Sequence, residues 1–232
     1  ISPARAGGGP LRIGGLLPRT GAADLLFPRV RAGAMLAIKE LNAEGGVLDD
    51  PVEWLDRDDG TDPVVARRGL AQLVKAKTHV VIGPGTSGVA REIMPDVVRA
   101  GVVLFSPSNT AADLSQARDD GLYFRTAPSD VLQGRALADI VMRDGAQRVA
   151  IVARDDAYGT GLQANVRDAL INAGRAEKDL KLITYRPADP VDFAGGAQEV
   201  RSFGAEAVLV LGLAESAAVI KALAAAGLPV GR

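Results

Sequence analysis

From Leu11 onward, short apolar runs alternate with amphipathic stretches. Leu11 to Leu17 reads as a strand. Pro28 opens a helix in which Ala34, Ala37, Ile38 and Leu41 recur at helical spacing, and Gly45-Gly46 ends it. Val52 to Asp56 is a weaker strand. Asp62 reads as an N-cap with Pro63 at the first helical position, followed by a buried stripe of Ala66, Leu70, Leu73 and Val74. A strand at Val80 to Ile82, a helix from Ser87 to Ala100 and a strand at Val102 to Phe105 complete the first half. This alternation predicts a parallel sheet with helices on both faces.

A looser polar stretch, Ser106 to Gly121, precedes a short apolar run at Leu122 to Thr126. The pattern then restarts. Helices are expected at Ser129–Asp144, Gly159–Ala173, Phe193–Phe203 and Glu215–Ala226, with strands at Arg148–Ala153, Lys181–Tyr185 and Val208–Leu211. The chain therefore divides into a Gly-rich leader (residues 1–10), an N-terminal α/β lobe (11–126) and a C-terminal α/β lobe (127–232), with a cleft expected between the lobes. Val80 to Gly83 followed by Ser87 echoes Leu209 to Gly212 followed by Ser216, as internal duplication or as ordinary strand–turn–helix chemistry. Leu228 to Arg232 reads as the start of a further strand.

Composition narrows the chemistry. With 27 basic and 28 acidic residues the chain lacks the basic surplus of a nucleic-acid binder. It has no cysteine and one histidine, His79, which removes thiol chemistry and disfavours a histidine triad or transition-metal site. Charged residues interrupt every apolar run before it reaches the length of a membrane-spanning helix. The paired acids Asp58-Asp59, Asp119-Asp120 and Asp155-Asp156 stand at strand ends or turns, where solvated carboxylates are common. Trp54 is read as core packing, His79 as a surface or strand-edge residue, and Arg67-Arg68 as the polar side of a helix needing no partner.

Two segments carry candidate chemistry. Gly83-Pro84-Gly85-Thr86-Ser87-Gly88 formally matches a dinucleotide fingerprint. It follows the third strand, holds proline at its second position and has Ser108 where an acid is expected, all of which count against a dinucleotide. A helix N-terminus with a serine and flanking glycines would instead hold an anion such as a carboxylate; alternatively, Thr86 or Ser87 merely caps the helix. The second segment, Ser106-Pro107-Ser108-Asn109-Thr110, lies at the carboxyl end of the fourth strand, where open α/β sheets gather ligands. It would flank the same pocket, or it is an ordinary polar turn.

These segments, "VIGPGTSGVAREIMPDVVRAGVVLFSPSNT" from Val81 to Thr110, resemble the extracytoplasmic substrate-binding proteins of branched-chain amino-acid ABC transporters. "GGLLPRTG" at Gly14–Gly21, "GAMLAIKELNAEGGV" at Gly33–Val47, "FRTAPSD" at Phe124–Asp130 and "DDAYGTG" at Asp155–Gly161 extend the resemblance, in order, from about Leu11 to Gly231. It implies a type I periplasmic binding fold: two doubly wound parallel-sheet lobes joined by a hinge, here without the C-terminal third.

By that resemblance Ser87 binds an amino acid's α-carboxylate and Thr86 lines the side-chain pocket. Ser108 contacts the ligand through its backbone, Thr110 through its hydroxyl, and Asn109 lies between them. Tyr158 closes over the ligand from the second lobe. A second pocket tyrosine of leucine-binding members falls at Gly212 or Leu213, and the first-loop aromatic is replaced around Leu26 and Phe27. The acid that pairs with the ligand ammonium falls beyond Arg232. The resemblance further implies a monomer without catalysis, cofactor or metal, whose partners are a small-molecule ligand (a branched-chain or other apolar amino acid, or a related carboxylate) and an ABC-transporter permease. Its place would be periplasmic or lipid-anchored at the cell surface. A ligand-sensing domain of a receptor or regulator, or a nucleotide-dependent enzyme, is the alternative.

Overall fold

The computed structural model describes residues 9–188 and 190–229; the leader up to Gly8 and the expected strand start at Val230–Arg232 lie outside them. Two compact units result. The first runs through Asn109 and includes Arg118–Ala127; the second comprises Thr110–Ala117 and the chain from Pro128.

The first unit holds β1 (Leu11–Leu17), α1 (Pro28–Ala43), β2 (Val52–Asp58), α2 (Pro63–Lys75), β3 (Val80–Ile82), α3 (Ser87–Ala100), β4 (Val103–Ser106) and β5 (Tyr123–Arg125). Its five strands are all parallel, in the order β2-β1-β3-β4-β5. β1 pairs with β2 from Leu11 opposite Val52 to Leu17 opposite Asp58. The paired glycines of β1 serve opposite faces of the pleat. Gly14 receives the Leu73 side chain of α2, and a Cβ on Gly15 would lie 2.1 Å from the Trp54 ring, which covers it. Trp54 thus packs across its neighbouring strand, as expected. His79 is exposed at the strand edge, where its Nδ1 accepts the Arg12 N–H.

The second unit holds α4 (Asp130–Arg143), β6 (Val149–Arg154), α5 (Ala157–Asn172), β7 (Leu180–Tyr185), α6 (Ala194–Phe203), β8 (Ala207–Leu211) and α7 (Ser216–Ala225). Its sheet is parallel, in the order β7-β6-β8. Every residue of β6 is buried, because alternate side chains enter two separate cores. Val149, Ile151 and Ala153 pack with Val141 of α4 and with Leu162, Val166 and Leu170 of α5. Ala150 and Val152 pack with Val200 of α6 and with Val219 and Leu223 of α7. A strand covered on both faces reads as a continuous apolar run, as this one does.

The element boundaries expected from periodicity hold to within about two residues, apart from the adjustments usual at frayed ends. Local capping explains several of them. Asp62 accepts the Val64 and Val65 N–H groups at the head of α2, Ser129 accepts the Val131 N–H for α4, and Asp156 accepts those of Tyr158 and Gly159 for α5. Two expectations need correction. In the α1 stripe only Ile38 is buried, while Ala37 and Leu41 are exposed along with Met35 and Leu36. Arg67 is not without partners: it binds Asp96 and Glu92 of α3 and so ties α2 to its neighbour.

Candidate functional site

Parallel strands place all their carboxyl ends on one edge of a sheet. In the first unit that edge gathers the loop after β1, the turn Asp59–Asp62, the turn Gly83–Thr86 and the segment Pro107–Asn109. The turn into α3 is tight. Gly83 has φ +129, and a Cβ there would lie 1.9 Å from the Leu16 carbonyl oxygen, so only glycine fits. The Gly83–Pro84 peptide is cis.

Gly85 sits at the centre of a braced loop. Its N–H donates to the Asp59 carboxylate at 2.7 Å. Its carbonyl accepts the Ser108 hydroxyl at 2.7 Å and the Asn109 side-chain amide at 3.2 Å. Asn109, fully buried, also donates to the Pro84 carbonyl, and its own oxygen accepts the Tyr123 hydroxyl. The Ser106 hydroxyl accepts the N–H groups of Ser108 and Asn109. The rings of Pro18 and Phe27 close over the Gly85 Cα. Thr86, the N-cap of α3, has extended backbone and makes no side-chain cap bond, and Ser87, buried at 3% exposure, opens the helix.

The structure therefore brings Phe27, Thr86, Ser87, Ser108 and Asn109 together around one turn. Leu26 ends a 3-10 turn and is exposed. The side chains of Ser108 and Asn109 are engaged in holding the loop.

Asp59 was not legible as a site residue. It is 0% exposed, and burial pushes its carboxyl up to about 6 against the opposing hydrogen bonds from Gly85 and Thr61. Its neighbour Asp58 behaves differently. Burial acts upward there too, but the Thr20 hydroxyl and the Arg19, Gly60 and Thr20 amides bring its carboxyl below the ordinary value. Acids at a strand end are expected to be solvated, and no local signal separates the dry Asp59 from its partly wet neighbour Asp58.

In the second unit the same kind of edge carries Arg154 at the end of β6, Tyr185 at the end of β7 and Gly212–Glu215 after β8. Arg154, 4% exposed, binds Asp156 at 2.5 Å and Glu215 at 2.9 Å. The Tyr185 hydroxyl donates to Glu215 at 2.9 Å. Burial and the Glu215 charge raise the Tyr185 pKa, so the phenol stays protonated at neutral pH. For Glu215 burial acts upward, but the Leu213 and Glu215 amides, Arg154 and Tyr185 hold the carboxyl below its ordinary value. Gly212 makes this cluster possible, because a Cβ there would lie 2.1 Å from the Tyr185 hydroxyl oxygen.

Tyr158 lies in the first turn of α5, half-buried against the β6 core, with its hydroxyl bonded to Gln133. Burial and the nearby Asp130 raise its pKa. The Thr110 carbonyl accepts the Asp130 N–H at 2.8 Å, so Thr110 packs with this second unit. Sequence reasoning named Tyr158, Thr110 and Gly212 but missed Arg154, Tyr185 and Glu215. Among the described residues no group of acids and histidine is arranged to hold a metal, and no helix is long and apolar enough to cross a membrane.

A family model described as periplasmic binding protein matches residues 10–232. A Leu/Ile/Val-binding protein homolog of Brucella melitensis is 30% identical over 199 residues, covering 85% of this chain and 53% of that protein. The solved branched-chain amino acid transporter substrate-binding protein LivJ of Streptococcus pneumoniae, in complex with isoleucine, aligns at TM-score 0.75 with 26% identity over 88% of this chain and 57% of that one. A solute-binding protein of an ABC transporter from R. palustris, in complex with benzoate, aligns at TM-score 0.81 with 25% identity over 95% and 61%. The chain thus spans about half the length of the relatives it matches.

Proposed function

The chain belongs to the periplasmic binding protein family, and on that premise we propose that it is an extracytoplasmic solute-binding protein that captures a small carboxylate, an apolar amino acid foremost, for an ABC importer. The observation that carries this reading is the start of α3. It stands at the carboxyl edge of a parallel sheet, its N-cap side chain makes no capping hydrogen bond, and the turn before it is braced by side chains. A helix N-terminus of this kind favours a negative ligand group through its N–H groups and dipole. Leucine, isoleucine and benzoate share the carboxylate, which is the chemistry the site is built to take. Ser87 and Thr86 are the proposed contacts in the first unit. Thr110 and Tyr158 are proposed as further contacts, and a membrane permease as the partner of the liganded form.

Calorimetry with leucine, isoleucine, valine and benzoate tests the reading. Saturable heat with at least one is expected, and silence across the panel overturns it. For the carboxylate contact, Ser87→Ala is expected to weaken binding by about 1.5–3 kcal/mol, the range for a hydrogen bond to a charged group. Unchanged affinity would remove Ser87 from the site.

A further inference from the structure

We propose that Asp59 is a positioning residue: its buried carboxylate fixes the Gly83–Thr86 turn and thereby aims the start of α3 at the ligand. The inference rests on the solute-binding reading for its consequence, and on geometry alone for its structural part. Asp59 grips two segments with its two oxygens. One accepts the Thr61 N–H within its own turn at 2.7 Å, and the other accepts the Gly85 N–H, 26 residues away, at 2.7 Å. The first contact is ordinary turn chemistry. The second reaches into the loop that carries the candidate contacts.

Among the described residues no cation pairs with Asp59 to explain its burial. Arg19 and Arg31 are drawn to Asp56, Asp62 turns to cap α2, and the charged group acting on Asp59 is its neighbour Asp58, which has the same sign. A carboxylate held in this way is costly to ionise, and what it offers over a neutral residue is two acceptor oxygens for two N–H donors. Asparagine has one acceptor oxygen, and its amide group would face the other N–H donor, so it cannot serve both Thr61 and Gly85. With Asp59 on the N–H and Ser108 and Asn109 on the carbonyl, the Gly85 peptide is clamped from both sides. A site preorganised in this way loses less entropy on binding.

The test is Asp59→Asn, titrated calorimetrically with L-leucine and with benzoate, together with amide hydrogen exchange by NMR. At pH 7.5 the variant is expected to bind about tenfold more weakly. Wild-type affinity is expected to fall as pH drops through about 6 while the variant stays flat. Unchanged or tighter binding by the variant overturns the proposal, the latter because it would make the Asp59 charge a mere repulsion against the ligand. Exchange is read without ligand. The Gly85 amide should lose at least tenfold of its protection in the variant, while the Gly83 amide, bonded to the Phe105 carbonyl in the sheet, keeps its own. Equal Gly85 protection refutes the clamp even if neither probe binds, which separates this failure from failure of the solute-binding reading. If the variant does not fold, the same Gly85 comparison in the wild type between pH 7.5 and pH 5 decides the matter, and constant protection overturns the proposal.

Discussion

At the scale of single residues, the consequential ones divide by how they handle burial. Asp59 is raised and Asp58 lowered, though they adjoin in the chain, because Asp58 collects four hydrogen bonds while remaining partly wet and Asp59 is dry. The raised carboxyl has a defined effect on stability. Folded Asp59 holds its proton more tightly than the unfolded chain does, so its contribution is most favourable below the unfolded value near 3.8 and is lost as pH rises through about 6. A shift of about 2 units corresponds to roughly 3 kcal/mol. Urea unfolding of wild type and Asp59→Asn at pH 7.5 and pH 4.5 is therefore expected to show the wild type gaining about 2 kcal/mol relative to the variant at the lower pH. A difference that stays constant with pH would count against a buried, proton-hungry Asp59. This is also where the sequence was least informative. Glycine, serine and proline at a strand–helix turn announce the loop, whereas a lone acid after a strand does not announce which distant amide it will meet.

At the scale of elements, local signals were read well and distant cover poorly. Asp62-Pro63 and the apolar stripe behind it identify α2 because capping and periodicity act within a few residues. The same periodicity in α1 shows that one side is apolar without showing what covers it. Ile93 of α3 is fully buried, whereas Leu36 of α1 is 55% exposed. Ile93→Ala is expected to cost about 2–5 kcal/mol, and Leu36→Gln less than about 0.5 kcal/mol, both read from urea midpoints of this chain. A Leu36 variant as damaging as the Ile93 variant would mean that the α1 face is buried in solution. The cluster of Arg154, Tyr185 and Glu215 illustrates the same limit. Its members come from the ends of three elements, and no spacing along the chain links them.

At the scale of the whole molecule, binding and stability are coupled by mass action. A ligand that binds only the folded protein adds about 2.7 kcal/mol at one hundred times its Kd, which for a protein of this size corresponds to roughly 5–10 °C in Tm. Thermal scans with the carboxylate that gives heat in calorimetry should show that shift, and an unchanged Tm at saturating ligand would contradict the calorimetric binding. The alternation of strands and helices, the order of motifs along the chain and the residues of the α3 turn were all determined by the sequence alone, because they depend on neighbours a few positions apart. The three-dimensional fold decided the rest: which acid is dry, which amide it grips, which apolar stripe is left in water, and which hydroxyl fills the space above Gly212. Those outcomes depend on residues far apart in sequence competing for the same small volume, and only packing sets that competition.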